Sequence, residues 1–350
     1  MSPDFNVMKP NFSLLVNQNP MEVDLYIAVT ELAVEDELNL PAMFTIKLDT
    51  VNFETNDWQA LDLIAIKPGD EMIIAIGMDQ TEHLMIGEVT SLEAVFGESP
   101  HLVIRGYDRM YRLRFGTKRR SFKDMKDSQI AQKIAQEAGL TAKADDTGPI
   151  QSYVFQNNQS NYEFLRERAG RLGFEMLAQD HEFFFRRPQE AKAPELTMEY
   201  IYDFTDFTAR LNVLTAGSQV EVRGWDVKTK QVISGQAAAG SETSIMSGKK
   251  SGFEVSRSLG SSGIAVPYGT VVDATEAEAI AKAQYNYLLK EFITGEGSCM
   301  GNPKIRAGRT IELTGLGERF SGIYYIVSSA HTLTPEAGYI TKFKVKRTGI

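Results

Sequence analysis

The first hundred residues alternate at strand spacing. Met72-Ile73-Ile74-Ala75-Ile76 follows the turn Pro68-Gly69-Asp70, residues 83 to 91 alternate around Gly87, and His101-Leu102-Val103-Ile104-Arg105-Gly106 forms another short run. Period-two runs bounded by Gly and Pro read as strands, and several in succession predict a small sandwich or barrel over residues 21 to 115.

The period then changes. Ile130, Ala131, Ile134, Ala135 and Ala138 recur at helical spacing, with Asp127 placed to cap the start and Gly139 to end it. Ser160-Asn161-Tyr162-Glu163 is a capping box, in which the hydroxyl and the carboxylate each satisfy an orphan donor at the helix start. Phe164, Leu165, Ala169 and Leu172 supply its apolar stripe, and Gly173 ends it. Runs at 174–177 and 182–186 predict a hairpin. Residues 120 to 200 thus read as a small α+β unit.

A third β region begins near Leu211 and includes residues 218 to 225. Residues 228 to 270, rich in Gly, Ser and Ala and poor in periodicity, predict a long excursion that only a partner orders. Thr275-Glu276-Ala277-Glu278 predicts a second capping box, opening a helix through Ile280, Ala283, Tyr287 and Leu288. Strands resume from Ile305 to Arg347.

The two β regions resemble each other. Pro68-Gly69-Asp70 followed by an apolar strand and Ile86-Gly87-Glu88-Val89 has a counterpart in Ala307-Gly308-Arg309, Ile311-Glu312-Leu313 and Ser321-Gly322-Ile323-Tyr324. Leu102 to Arg105 and Ile340 to Val345 then correspond. The expectation is two tandem copies of one small barrel.

Charge narrows the function. The 46 acidic residues outnumber the 37 basic ones, for a net charge of −9 over 350 residues. That excludes a general nucleic-acid surface, which needs clustered positive charge. The basic run Lys118-Arg119-Arg120, with Arg112 and Arg114 before it, reads as a solvated or subunit-contacting edge. The single Cys299 cannot form an internal disulfide and reads as a small packed residue. Residues 1 to 10 lack the pattern of a signal peptide, and no window is apolar enough for a membrane span.

Candidate chemistry is sparse. His83, His101, His181 and His331 show no zinc-site spacing. Gly315-Leu316-Gly317-Glu318 lacks the third glycine of a dinucleotide loop and reads as a turn between strands. Glu163 and Glu167 share a helix face, but Glu163 serves its cap and Glu167 lies between Arg166 and Arg168, so a glycosidase pair is not expected. Trp58 and Trp225 are weighed as sugar contacts, with burial expected for Trp225.

Several motifs carry a resemblance. Arg105-Gly106-Tyr107-Asp108 with residues 109 to 113, Ser160-Asn161-Tyr162-Glu163-Phe164-Leu165 running to Gly173-Phe174, Val222-Arg223-Gly224-Trp225-Asp226, Phe320 to Val327, His331 and Gly338-Tyr339-Ile340-Thr341 appear in an order that resembles the late control D proteins of contractile-tailed phages. That family shares its fold with the myophage central hub and the N-terminal part of type VI secretion spike proteins. Gly106, Asp108, Phe164, Leu165, Gly173, Gly224, Trp225, Asp226, Gly322, His331, Gly338 and Tyr339 match it as structural positions.

The resemblance implies a mainly β fold with an α+β part: two tandem small barrels flanking a small α+β domain, with a flexible insertion. The expected division is an N-terminal arm at 1–20, a first barrel at 21–118, an α+β domain at 119–204, a second barrel at 205–226 with 292–350, and an excursion at 227–291. The implied role is structural: a homotrimeric baseplate hub adapting a sixfold tube to a threefold spike. Its partners are the tail-tube protein, a separate spike protein and surrounding baseplate proteins, without specific nucleic acid or membrane span. The place is the bacterial cytoplasm during assembly, then the baseplate. No catalytic residue, cofactor or metal is expected, and part of the acidic surplus is expected to line an axial channel. The alternatives are a tail-associated cell-wall hydrolase and a receptor- or carbohydrate-binding tail module.

Overall fold

The computed structural model describes residues 9–52, 57–58, 66–226, 229–260, 263–267, 271 and 273–350. The first β unit comprises β1 (Pro10–Val16), the two-residue β2 (Asn19–Pro20), the short helix α1 (Val23–Ile27), β3 (Val29–Glu37), β4 (Met43–Asp49), the two-residue pair β5 (Val51–Asn52) and β6 (Asp57–Trp58), β7 (Glu71–Met78), β8 (Glu82–Val95) and β9 (His101–Tyr107). Alternation decides the faces. Leu32 and Val34, Phe44, Ile46 and Leu48, and Met72, Ile74 and Ile76 all turn to one side and are buried. Where an N-terminal arm is expected, β1 pairs antiparallel with β7 along its whole length, because Leu14 completes that apolar side.

A middle unit follows. It contains β10 (Lys118–Met125), α2 (Asp127–Glu137), β11 (Thr141–Ala144), β12 (Gln151–Gln159), α3 (Asn161–Leu172), β13 (Glu175–Gln179) and β14 (Glu182–Arg186). Its core joins Ile130, Ala131, Ile134 and Ala135 of α2 to Phe164, Leu165 and Ala169 of α3. The α3 capping box forms as expected: Glu163 N–H donates to Ser160 Oγ (3.1 Å), and Ser160 N–H donates to Glu163 Oε2 (2.9 Å). Gly173 closes the helix at φ 68°. Asp127 does not cap α2. Lys126 holds the cap position, and Asp127 turns inward to pair with Arg168 at 2.6 Å.

The second β unit is built from β15 (Leu196–Glu199), β16 (Phe204–Leu211), β20 (Ile293–Met300), β21 (Thr310–Thr314), the single-turn helix α6 (Gly317–Phe320), β22 (Gly322–Thr334) and β23 (Gly338–Arg347). Between β16 and β20 lies an inserted unit: β17 (Gln219–Asp226), β18 (Gln231–Ala237), α4 (Gly252–Ser256), β19 (Gly263–Pro267) and α5 (Ala274–Leu289). The expectation of an unstructured excursion at 228–270 is corrected here. β17, β18 and β19 form their own sheet, and Val220, Val222 and Ala237 pack with Phe253, Ala277, Ile280 and Tyr285 in a separate core. β17 belongs to this sheet, not to the second β unit. The Gly-rich composition reflects close packing: a Cβ on Gly235 would fall 2.2 Å from the α5 backbone. The α5 cap is Asp273, whose side chain accepts from Glu276 N–H at 2.8 Å, so the Thr275 box is also corrected.

The repeat is real at the level of topology. Writing each unit's six main strands a to f in chain order (β1, β3, β4, β7, β8, β9 and β15, β16, β20, β21, β22, β23), both sheets run b-c-f-e-d-a. Bulges recur at the same places, between Val29 and Glu31 and between Phe204 and Asp206, then between Val89 and Ser91 and between Ile326 and Ser328. The turn glycines agree too. Gly69 N–H donates to the Val89 carbonyl at 2.8 Å, and Gly308 N–H donates to the Ile326 carbonyl at 2.9 Å. One difference remains: β1 meets β7 antiparallel, whereas β15 meets β21 parallel. The register equates Gly87 with Tyr324, two residues from the alignment expected with Gly322.

These equivalences explain why the repeat is faint in sequence. In the first unit the Phe44 ring fills the space over Gly87 and Gly106, where added Cβ atoms would lie 2.8 and 2.4 Å from it. The equivalent positions in the second unit are Gly295, Tyr324 and Val345. Large and small residues have changed places around a conserved volume, as close packing requires.

The two units are not separate closed barrels. They are halves of one 13-stranded sheet, and no barrel closes among the described residues. β22 outruns β21: its first part pairs with β21, and residues 328–333 pair antiparallel with β3 of the first unit.

Gly106→Ala should destabilise the protein by about 1–3 kcal/mol through overpacking against Phe44 and the Glu88 carbonyl. Urea denaturation checks this, with a lower midpoint expected at unchanged slope.

Candidate functional site

The polar residues that the fold gathers lie at the seam where β22 crosses onto β3. Asp36, on β3, accepts from Arg306 Nε at 2.7 Å, from the Ala307 N–H at 3.3 Å and from Ser329 Oγ of β22. Arg306, from the second unit, also donates to the Leu84 carbonyl of the first. Burial alone would push the Asp36 carboxyl up, but the Arg306 charge and the Ser329 and Arg306 hydrogen bonds outweigh it and hold it below the usual carboxylate range.

His331 lies beside this pair, fully buried. Its Nε2 donates to the Ile305 carbonyl at 3.0 Å, which fixes the tautomer because a carbonyl only accepts. Nδ1 then accepts from Tyr339 Oη at 2.9 Å, with the Thr341 hydroxyl 3.1 Å away. Burial, with the Arg306 charge, lowers its pKa to about 4, so it is neutral at pH 7. Ser329, His331 and Asp36 thus stand together without forming a nucleophilic triad. Ser329 gives its proton to Asp36, and the nitrogen facing Ser329 (3.2 Å) carries a hydrogen, so it has no lone pair with which to act as a base.

Similar buried pairs tie the other units in. Glu175 of β13 binds Arg186 at 2.8 Å and accepts from Tyr325 Oη of β22 at 2.7 Å; burial raises its pKa despite the Arg186 charge. Arg186 also reaches the Gly308 carbonyl at 2.9 Å. Arg171 of α3 binds Glu276 of α5 at 2.8 Å, where Gln151 also donates at 2.9 Å. Asn39, at φ 65°, exchanges hydrogen bonds with Met176 across the first turn of the sheet.

The residues singled out from the sequence are scattered structural positions. Asp108 is buried and accepts from Ala42 N–H at 2.8 Å and Met110 N–H at 2.9 Å, while burial pushes its pKa up to about 7. Phe164 and Leu165 are core residues of the middle unit. Gly224, Trp225 and Asp226 lie on β17; Asp226 accepts from the Thr229 hydroxyl at 2.6 Å. Trp225 is half exposed, at 51%, correcting the expectation of burial: it sits on the outer face of a small sheet covered by α5 on the other. Gly322, at φ 141°, leaves room for the Arg347 guanidinium, and Gly338 turns β22 into β23. The Trp58 side chain lies outside the described residues. Gly315 and Gly317, both at positive φ, make a turn before α6. Cys299 is buried, with its thiol pushed up to about 12 by burial.

The basic run is only partly paired, with Arg114 and Arg119 exposed. Arg112 binds Glu88, and Arg120 and Lys118 both reach Glu137. No cluster of metal-binding side chains occurs among the described residues. Asp36 and Arg306 escaped the sequence reading, because they lie 270 residues apart and no local pattern marks them; Glu276 was read only as a cap residue, since its partner Arg171 is 105 residues away.

The polar side of the long sheet carries both signs. Glu35, Glu93 and Glu296 point outward among Arg105, Lys342 and Lys344, and a cleft of about 660 Å³ opens over the seam on this side. Strand edges without a ladder partner among the described residues include β8 beyond the bulge at Val89, where residues 91–94 are exposed, and the side of β16 turned away from β20.

This arrangement is the fold of phage tail proteins. It matches the 43 kDa tail protein of prophage MuSo2 from Shewanella oneidensis with TM-score 0.72 and 13% identity, over 97% of this chain and 98% of that one. It matches a tail protein from Neisseria meningitidis MC58 with TM-score 0.68 and 12% identity, over 97% and 96%. An Escherichia coli type VI secretion component, described as structurally similar to the T4 tail proteins gp27 and gp5, matches with TM-score 0.60 and 12% identity over 96% and 77%. The resemblance to tail and injection-machine proteins read from the sequence therefore holds in the fold. Residues 9–335 match the family described as the Alg8 N-terminal domain, and the chain belongs to that family. No curated protein sequence matches it.

Two outcomes test the seam. Arg306→Ala should cost about 3–5 kcal/mol, because it leaves Asp36 buried without its cation; chemical denaturation measures it. His331 gives a pH signature. Its folded pKa of about 4 lies below the unfolded 6.5, so the stability it contributes is present above pH 6.5 and lost as pH falls towards 4. The stability of the wild type minus that of His331→Gln should therefore shrink by about 3 kcal/mol over that window, while titrating groups not coupled to His331 cancel in the difference.

Proposed function

We propose that this chain is a structural component of the baseplate of a phage tail or contractile injection machine, and within it the central hub. The observation that carries this reading is the internal doubling: one chain presents two topologically equivalent β units in one continuous sheet, with uncovered edges. Three such chains would offer six equivalent units to a sixfold tube above and three to a spike below, which is what a symmetry adaptor needs. The tail-protein fold over nearly the whole chain supports the same reading. The partners proposed are further copies of this chain, a tube protein, a separate spike protein and surrounding baseplate proteins. The place is the bacterial cytoplasm during assembly and the particle afterwards.

The role proposed is not enzymatic. In the Ser329–His331–Asp36 group the imidazole is fully buried and wrongly protonated to act as a base, so a zymogram against cell-wall substrate should stay blank. The axial channel is proposed on the polar side of the sheet. With acids and bases interleaved there, its wall would be of mixed sign, and the −9 surplus would lie on other surfaces, contrary to the acidic lining expected from net charge.

Light scattering of the purified chain should give a trimer, alone or with its tube or spike partner, and a map of the parent particle should place it on the axis between them. A stable hexamer of this chain, or a position off the axis, would overturn the hub reading.

A further inference from the structure

The repeat contains a template for contact between copies. In each unit strand e is longer than strand d, so its second part has a free side. In the second unit that side is occupied: residues 328–333 of β22 pair antiparallel with β3, which is strand b of the first unit. In the first unit the equivalent side of β8 has no partner strand among the described residues, and neither has the outer edge of the equivalent strand b, β16. The chain therefore makes one e-to-b contact internally and exposes both halves of a second.

We propose that β8 of one copy pairs antiparallel with β16 of the next copy, repeating between subunits the β22–β3 contact made within one, so that the copies close head to tail into a continuous ring of sheet. The occupant of the β8 edge is thus a second copy of this chain. The inference deepens the hub reading and rests on it for the presence of several copies.

The register is fixed by the shared bulges. Ser328 corresponds to Ser91, and Glu37 to Asn212. The internal pairs Ser329–Asp36, Ala330–Glu35 and His331–Val34 then become Leu92–Leu211, Glu93–Arg210 and Ala94–Ala209. The chemistry of these pairs is complementary. The inward position that holds the Ser329–Asp36 hydrogen bond within the chain becomes an apolar Leu–Leu pair. The outward position puts Arg210 opposite Glu93, which within the subunit binds Arg105 at 2.5 Å and would take the second base as a further partner. Opposed pairs of this kind stabilise antiparallel strands, and a one-residue slip would put Leu92 against Arg210 and lose both. Leu92 is 36% exposed in the isolated subunit, and Arg210 is exposed. Adding a strand to a free edge is a general mode of protein association, and a contact between two different edges of identical subunits is the heterologous type that generates rings.

Cysteine cross-linking tests the pairing in the full chain. The native Cys299 is buried and stays silent at neutral pH. Leu92→Cys with Leu211→Cys, and separately Glu93→Cys with Arg210→Cys, sample both kinds of antiparallel position. Mild oxidation should give covalent multimers from at least one matched pair and none from the mismatched Leu92→Cys with Arg210→Cys. Independently, Glu93→Arg should weaken self-association about tenfold, and adding Arg210→Glu should restore it; both side chains are exposed, and the surface pair with Arg105 that the first change breaks contributes little to the fold. Multimers seen by light scattering that neither matched pair cross-links would overturn the pairing and leave the hub reading standing. A chain monomeric in every variant and without cross-links would also overturn the pairing, while its position in the particle decides the hub reading separately.

Discussion

The structure depends on β22 being longer than the strand beside it. Because β22 continues past β21, its free donors and acceptors need a partner, and β3 supplies one. That single extension turns two β units into one sheet. The pairing also draws Asp36, Arg306 and Ser329 together, since they sit on the elements it joins. A carboxylate and a guanidinium buried there must satisfy each other, so the seam resists slippage: shifting β3 by one residue would move Asp36 out and leave Arg306 unpaired.

The remaining units hang on the same frame. The middle unit reaches the second β unit through Glu175, Arg186 and Tyr325, and the inserted unit through Arg171 and Glu276. Each of these contacts joins residues far apart in sequence, and each buries a charge with its partner. Such pairs add little net stability compared with apolar packing, but an unpaired member is costly, so they specify how the units dock. Specificity of docking thus lies in the polar contacts and cohesion in four apolar cores.

Doubling within a chain offers a route from threefold to sixfold symmetry without six identical subunits. The two copies here share strand order, bulges and turn glycines but differ in side-chain volumes: Phe44 lies over Gly87 and Gly106, whereas Gly295 at the Phe44 position lies beneath Phe207 and Val345. Backbone features that set strand direction were retained, whereas side-chain identity drifted wherever the total volume stayed the same. One copy could also take a long insertion between its b and c strands, where the other has only a short turn.

The sequence by itself determined what depends on local periodicity and local backbone chemistry. The alternation around Ile74 and Ile104, the helical stripe from Ile130 to Ala135, the Ser160–Glu163 cap and the turn glycines Gly69, Gly308 and Gly173 act within a few residues of themselves, and all are readable. The order of the motifs was enough to indicate a tail-protein fold. Tertiary structure decided the rest. Asp127 and Glu276 looked like helix-end acids, yet folding gave them to Arg168 and Arg171, because a buried guanidinium competes strongly for a carboxylate. The Gly-rich stretch after Lys228 looked unstructured, yet Gly235 is there to admit a helix backbone. Ser329, His331 and Asp36 met only because β22 crosses between units, and no pattern along the chain encodes a partner almost three hundred residues away. That crossing, which also replaced two closed barrels with one open sheet, is a matter of which edges find each other in space.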